Sequence, residues 1–68
     1  MTELRSLRLL RGYTVTELAL KAGVKAPTLF AYENGTRSLR KASFETVLAL
    51  AKVLCVKPED LLGEEDWE

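Results

Sequence analysis

The sequence predicts an all-α fold built from five short helices, and three observations lead to this prediction. Apolar residues recur at helical spacing, most clearly between Phe44 and Leu54. Capping residues precede such stretches and glycines follow several of them. No segment alternates apolar and polar residues as a half-buried strand does. The 68 residues, 47% of them apolar, suffice for one small core. We expect a single domain over residues 1–62 and an acidic tail over residues 63–68.

The first helix is predicted over residues 3–11, with Thr2 as its N-cap and Gly12 at its end. Three leucines at three-residue spacing are expected to face the core. They are Leu4, Leu7 and Leu10.

Thr14 and Glu17 have the spacing of a capping box, which starts a second predicted helix over residues 15–22. Gly23 follows that helix, where a left-handed residue ends a helix without steric cost. A third helix is predicted over residues 26–33. The inward-facing residues expected on these two helices are Leu18, Ala19, Ala22, Leu29 and Tyr32.

A basic loop over residues 36–42 leads to a fourth helix, predicted over residues 44–54 with Ser43 as its cap. A short fifth helix is predicted over residues 58–62, with Pro58 in its first turn. The apolar stripe expected to bury the fourth helix consists of Phe44, Val47, Leu48, Ala51 and Leu54.

The chain has one cysteine, Cys55, and no histidine. A single cysteine cannot form an internal disulfide, and we expect it to be a small core residue of a protein from a reducing compartment. Without histidine, few residues remain for a metal site or for acid-base catalysis, so we expect neither an enzyme nor a cofactor. No apolar run approaches the roughly 20 residues that span a bilayer, so no membrane association is expected.

The formal net charge is zero, but the charges are unevenly distributed. Residues 1–41 carry eight Lys or Arg residues and three Glu residues, whereas residues 42–68 carry two Lys residues and seven acidic residues. A polyanion senses mainly the charges within a Debye length of about 8 Å, so the first part of the chain is suited to nucleic acid. The alternative interpretation is an ordinary solvated surface with an acidic tail.

Two short helices joined by a tight turn are the main functional signal in the sequence. Ala19 is small enough for the two helices to cross closely, and Gly23 permits the turn between them. Val24 and Leu29 are placed to fill the angle between the helices. This arrangement projects the second helix of the pair outward, where it can enter a DNA major groove.

A set of segments in fixed order carries a resemblance to a known family: Leu7-Arg8, Gly12, Thr14, Glu17-Leu18-Ala19, Lys21-Ala22-Gly23-Val24, Thr28-Leu29, Glu33-Asn34-Gly35, Leu48-Ala49-Leu50-Ala51-Lys52, Leu54 and Pro58-Glu59-Asp60-Leu61-Leu62. Over about residues 4–62 the chain resembles the Cro/lambda-repressor-like helix-turn-helix family, the XRE-type transcriptional regulators. The resemblance implies a five-helix, lambda-repressor-like DNA-binding domain whose helices 2 and 3 form the helix-turn-helix. It also implies that the chain binds double-stranded DNA as a homodimer.

The resemblance implies a structural ion pair between Arg8 and Glu33, which we expect to be partly exposed. It also implies phosphate contacts at the start of the second helix, where Val15 stands at the position that commonly holds Gln. The loop after the third helix is three residues longer than the connection that is usual in this family. It either follows the DNA backbone or is a solubilising surface loop. The candidates for backbone contacts are Thr14, Thr16, Asn34, Arg37, Arg40 and Lys41.

From their positions at the start of the third helix and along it, five residues are expected to contact bases: Lys25, Ala26, Pro27, Thr28 and Ala31. Lys25 can reach guanine or a phosphate, and Thr28 can hydrogen-bond to either. The other three can only pack against thymine methyl groups. No Arg, Asn or Gln is available for bidentate base contacts, so DNA shape is expected to contribute to specificity.

Some apolar residues point to partners of another kind. Leu9, Leu20 and Phe30 are predicted to face outward and are either partly buried or a contact patch for a protein. The candidates for a dimer interface are Cys55, Val56, Leu62 and Trp67.

We therefore expect a bacterial or phage-encoded regulator, cytoplasmic and nucleoid-associated, that represses transcription by binding duplex DNA. The alternative is a protein-interaction module on the same fold with weak or lost DNA binding. The apolar third helix and the zero net charge favour that alternative.

Overall fold

The computed structural model describes residues 2–62, and these form five α-helices. One 3₁₀ turn, Leu39–Lys41, interrupts the loop between the third and fourth helices. The predicted all-α class and the order of the helices are confirmed, with ends that differ from the predictions by at most one residue. The helices are α1 Glu3–Leu10, α2 Val15–Ala22, α3 Ala26–Glu33, α4 Phe44–Leu54 and α5 Pro58–Leu62.

Local hydrogen bonds explain why the helices begin and end at these residues. The Thr2 hydroxyl accepts from the Arg5 amide at the start of α1, and the Ser43 hydroxyl accepts from the Thr46 amide at the start of α4. The predicted capping box is present at the start of α2. Gly23 ends α2 with a φ of 75°, in the left-handed region that glycine adopts without a Cβ clash.

The core lies where α2 packs against α3 and α4, α5 packs against α4, and α1 packs against α3 and α5. Its largest fully buried side chains are leucines contributed by every helix except α5: Leu4, Leu18, Leu29, Leu50 and Leu54. Ala19 and Ala51 are also buried and permit close helix contacts. Among the described residues, no helix has the length and apolar character needed to cross a membrane.

Two residues that were predicted to face the core from the apolar stripes of α1 and α4 are exposed, so these predictions are wrong. Leu10 is 73% exposed, because the inward face of α1 follows the i, i+3, i+4 pattern of Leu4, Leu7 and Arg8. Phe44 is 69% exposed in the first turn of α4, where it lines a surface groove. Leu50 takes part in the buried stripe of α4, although the predicted stripe did not include it.

The loop between α3 and α4 is anchored to the core. Leu39, in the 3₁₀ turn, is only 8% exposed and packs with the core residues. The cations on either side of it, Arg37, Arg40 and Lys41, remain exposed. The basic loop is therefore held at a defined place on the surface by one apolar side chain.

Cys55 is exposed, so the prediction that it is a core residue is wrong. It forms the C-cap of α4 with φ 60° and ψ 42°, a left-handed conformation that is uncommon for residues other than glycine. Its amide donates to the carbonyls of Ala51 and Lys52. The cysteine thus ends a helix at a position where glycine is favoured.

We predict that Cys55→Gly stabilises the protein by about 0.5–1 kcal/mol, because glycine removes the Cβ penalty of the left-handed conformation. Urea unfolding of the variant and of Cys55→Ser, which keeps the Cβ, measures the difference. A lower stability of the glycine variant would contradict the exposed position of the thiol.

A buried ion pair joins α1 to the end of α3, which confirms the predicted pairing of Arg8 with Glu33. Arg8 Nε lies 2.6 Å from Glu33 Oε2, and Arg8 Nη2 lies 3.1 Å from Oε1. The side chains are 10% and 3% exposed, so the expectation of a partly exposed pair is wrong. Arg8 Nη1 also donates to the Tyr13 carbonyl at 2.7 Å, and the Thr2 hydroxyl donates to the Glu33 carbonyl at 2.9 Å.

Glu33→Ala should lower the free energy of unfolding by about 3 kcal/mol, because it leaves a buried guanidinium without its carboxylate. Denaturation in urea measures this loss. The double variant Arg8→Met with Glu33→Leu should recover most of the loss, because it removes both charges and fills their space. If the double variant is as unstable as Glu33→Ala, the cost does not arise from an unpaired charge.

Candidate nucleic-acid interface

The α2–turn–α3 unit has the geometry of a helix-turn-helix. Leu18 on α2 and Leu29 on α3 are fully buried, which fixes the two helices against the same core. The Val24 amide donates to the Ala19 carbonyl at 2.9 Å across the turn. With one face of α3 held inward by Leu29 and Tyr32, its opposite face is open to a ligand.

The predicted base-contacting residues lie at the start of α3 and along it, and one of them, Ala26, packs partly against the core. Lys25 is the N-cap of α3, exposed, and its side chain makes no capping hydrogen bond. Pro27 is exposed, whereas Ala26, Thr28 and Ala31 are half-buried. Phe30, at 56% exposure, is the largest apolar surface on this helix.

The start of α2 offers hydroxyls rather than a long polar side chain. The Thr14 hydroxyl accepts from the Glu17 amide at 3.1 Å, and the Thr14 amide donates to Glu17 Oε1 at 2.9 Å. The Thr14 hydroxyl hydrogen remains available for donation, and Thr16 is exposed. Val15 is half-buried against the core, which explains an apolar residue at this position.

Asn34, at the end of α3, is oriented by its neighbour. Its Oδ1 accepts from the Thr36 amide at 2.9 Å and from the Thr36 hydroxyl at 2.6 Å. The side-chain NH₂ of Asn34 is left free to donate to a ligand. Asn followed by Gly is a turn signal in the sequence, and an Asn side chain in such a turn bonds the backbone two residues on.

The structure brings two of the three loop cations together and separates the third. Arg37 and Lys41 line a surface hollow of about 590 Å³. Arg37 Cζ also lies 5.6 Å from the centroid of the buried Tyr32 ring. Arg40 lines a different, mainly apolar groove that includes Phe44 and Leu62.

The acidic residues near α3 are engaged in internal contacts. Glu33 is buried in the ion pair with Arg8, and the Glu17 carboxylate accepts from the Thr14 amide. Of the three acidic residues in residues 1–41, only Glu3 lies outside these two contacts. The buried pair adds no net charge to the surface, and exposed cations flank α3 at Lys25 and Arg37.

The structure describes the remaining residues predicted to contact a protein partner or a second copy, except Trp67. Leu9 and Leu20 are 51% and 81% exposed, so both face outward as predicted. Val56 and Leu62 are half-buried and pack partly against the core. Trp67 and the acidic tail, residues 63–68, lie outside the described residues. Within residues 2–62, no group of His, Cys, Asp or Glu residues is arranged to hold a metal ion.

The helix-turn-helix family profile matches residues 4–61, nearly the whole described chain. The chain belongs to the XRE-type helix-turn-helix family. A curated relative, the HTH-type transcriptional regulator RghRB of Bacillus subtilis strain 168, is 40% identical over 61 residues. That match covers 90% of this chain but only 42% of RghRB, so the chain spans less than half the length of this relative.

Solved structures of the same family confirm the fold. The N-terminal DNA-binding domain of SinR from Bacillus subtilis has a TM-score of 0.79 at 31% identity, covering 91% of this chain and 87% of that domain. SinR in complex with DNA has a TM-score of 0.81 at 30% identity, covering 88% and 95%. The restriction-modification controller protein C.AhdI of Aeromonas hydrophila has a TM-score of 0.77 at 30% identity, covering 87% and 85%. The helix-turn-helix proteins matched here are regulators and not enzymes.

Proposed function

We propose that this helix-turn-helix protein is a sequence-specific transcriptional regulator that reads the major groove of duplex DNA with α3. The observation that carries the proposal is the position of exposed cations at both ends of the open face of α3. Lys25 lies at its start, and Arg37 and Lys41 lie in the loop that follows it. SinR, a structural neighbour, has been solved in complex with DNA, which supports the same ligand class here.

Base recognition in this proposal depends on few polar groups. Lys25 donates to guanine O6 and N7, and Thr28 hydrogen-bonds to a base or a phosphate. Ala26, Pro27 and Ala31 pack against thymine methyl groups. Because α3 carries no Arg, Asn or Gln, sequence-dependent DNA shape supplies part of the specificity.

The backbone contacts lie on either side of α3. Thr14 and Thr16 approach one phosphate from the start of α2. Asn34 and the cations of the loop, Arg37, Arg40 and Lys41, approach phosphates beyond the end of α3. Such contacts position the protein on the duplex and supply most of the salt-dependent affinity.

The regulator acts as a homodimer, in which two copies place their α3 helices about 34 Å apart, one turn of DNA. The proposed contact surface lies at the end of α4 and on α5, at Cys55, Val56 and Leu62, with Trp67 as a further candidate. Binding at a promoter in the cytoplasm then represses transcription by excluding polymerase.

We predict that the chain dimerises in a concentration-dependent way in sedimentation velocity, and that Cys55→Asp weakens this dimerisation. A strictly monomeric chain bound to one half-site would contradict the dimer.

DNA binding is tested with Lys25→Ala combined with Lys41→Ala. We expect roughly tenfold weaker binding to mixed-sequence duplex DNA, and a salt slope that falls by about 0.9 for each lost phosphate contact. Fluorescence anisotropy at several salt concentrations measures both quantities. The matched control is Lys52→Ala with Lys57→Ala, which removes the same charge from exposed residues at the end of α4 and before α5.

Equal losses in the two double variants would show that net charge, and not this surface, governs binding. No duplex binding by the unaltered chain even at low salt would contradict the proposal as a whole.

The second candidate function is a protein-interaction module on the same fold. The exposure of Leu20 at 81% and of Phe30 at 56% favours it, because large exposed apolar side chains mark contact surfaces. The same salt titration separates the two functions. DNA binding weakens steeply as salt rises because counterions are released, whereas an apolar protein contact responds little.

A further inference from the structure

The hydroxyl of Tyr32 has no protein partner among residues 2–62, although the side chain is deeply buried. The residue is only 7% exposed and belongs to the core. The hydrogen bonds of the described residues do not include this hydroxyl. In the part of the chain that the structure describes, every side-chain polar atom sealed from solvent has a partner, so the Tyr32 oxygen must still reach the surface. A hydroxyl held at the end of a buried ring is a preorganised donor for a ligand.

The ring of Tyr32 lines the hollow that Arg37 and Lys41 share. Three hydroxyl-bearing residues complete the polar lining: Thr36, Ser38 and Ser43. Within residues 2–62, no carboxylate lines this hollow. A smaller hollow of about 280 Å³, which Tyr32 and Arg37 also line, includes Glu3 and suits an anion less well.

The chemistry of the larger hollow selects an oxyanion. Its lining combines two cations with the hydroxyls of Tyr32 and Ser38, which can donate, and a phosphate oxygen accepts from both kinds of donor. Arg37 lies 5.6 Å from the Tyr32 ring centroid, so a cation is held close to the ring. The loop that carries Arg37 is fixed by the Arg37 amide, which donates to the Ala31 carbonyl at 3.2 Å.

We propose that Tyr32 is a DNA-contacting residue, whose hydroxyl donates to a backbone phosphate lying in this hollow beside Arg37 and Lys41. This inference rests on the proposed function, because the phosphate belongs to the duplex that α3 reads. The inner face of α3 then has two roles, packing in the core and contacting DNA. The same side chain packs in the core and ends in the interface, so the position of the phosphate is tied directly to the packing of α3.

Tyr32→Phe tests the proposal in the full chain, because it removes only the hydroxyl. We expect about tenfold to hundredfold weaker duplex binding, as for the loss of one hydrogen bond to a charged group. The salt slope should stay unchanged, since a neutral donor releases no counterion. The melting temperature should also stay unchanged, because the hydroxyl has no partner within residues 2–62.

Tyr13→Phe is the matched control, because Tyr13 is half-buried and does not line the hollow. Its duplex affinity should equal that of the unaltered chain. Equal affinities of the two Phe variants would overturn the Tyr32 contact and leave DNA binding itself intact. A changed salt slope in Tyr32→Phe would also overturn it, because the loss would then involve a displaced cation.

A titration with inorganic phosphate separates failure of this inference from failure of the proposed function. Backbone amide NMR shifts at Thr36, Arg37 and Ser38 report on the hollow, with sodium chloride of equal ionic strength as the blank. Shifts that weaken in Tyr32→Phe support the oxyanion site even if the chain binds no duplex. Identical shifts in both proteins overturn the role of the hydroxyl.

Discussion

The buried contact between Arg8 and Glu33 is the constraint on which the functional face depends. Helix α3 has only eight residues, and its C-terminal residue is tied to α1 by two hydrogen bonds between charged groups. The Glu33 carbonyl also accepts a hydrogen bond from the Thr2 hydroxyl, so both the side chain and the backbone of Glu33 are fixed by hydrogen bonds. The desolvation cost of a buried charge makes this geometry well defined, because neither partner can leave without leaving the other unpaired. The outward face of α3 is thereby set at a fixed angle to the body.

The distribution of charge, and not its sum, explains how a chain of zero net charge presents a surface suited to a polyanion. The buried pair of Arg8 and Glu33 contributes no net charge to the surface. The cations Lys25, Arg37 and Lys41 remain exposed near α3. Because salt screens each charge beyond about 8 Å, a polyanion responds more to the charges near α3 than to the net charge of the whole chain. Composition alone therefore underestimates the positive character of this face.

The sequence predicts the helices well because their ends are decided locally. The capping box at Thr14 and the left-handed Gly23 involve neighbours within a few residues, so the pattern alone identifies them. Burial is decided by distant neighbours, and there the predictions for Phe44 and Cys55 fail. The positions of the candidate contact residues followed from the family pattern, whereas the free hydroxyl of Tyr32 is visible only once its surroundings are known.

In the proposed function, α3 reads DNA with few hydrogen-bonding side chains and therefore depends strongly on the residues that hold it in place. Methyl contacts discriminate between bases only when the helix is held at a fixed depth in the groove, because they lack the directionality of hydrogen bonds. That depth is set by the phosphate contacts on either side of α3. Here the loop contacts are anchored by buried Leu39, and the hollow is walled by the ring of Tyr32. In the proposed complex, residues of the core thus define the distance between α3 and the duplex. Repacking those core residues should alter the preferred DNA sequence even where no proposed base-contacting residue changes.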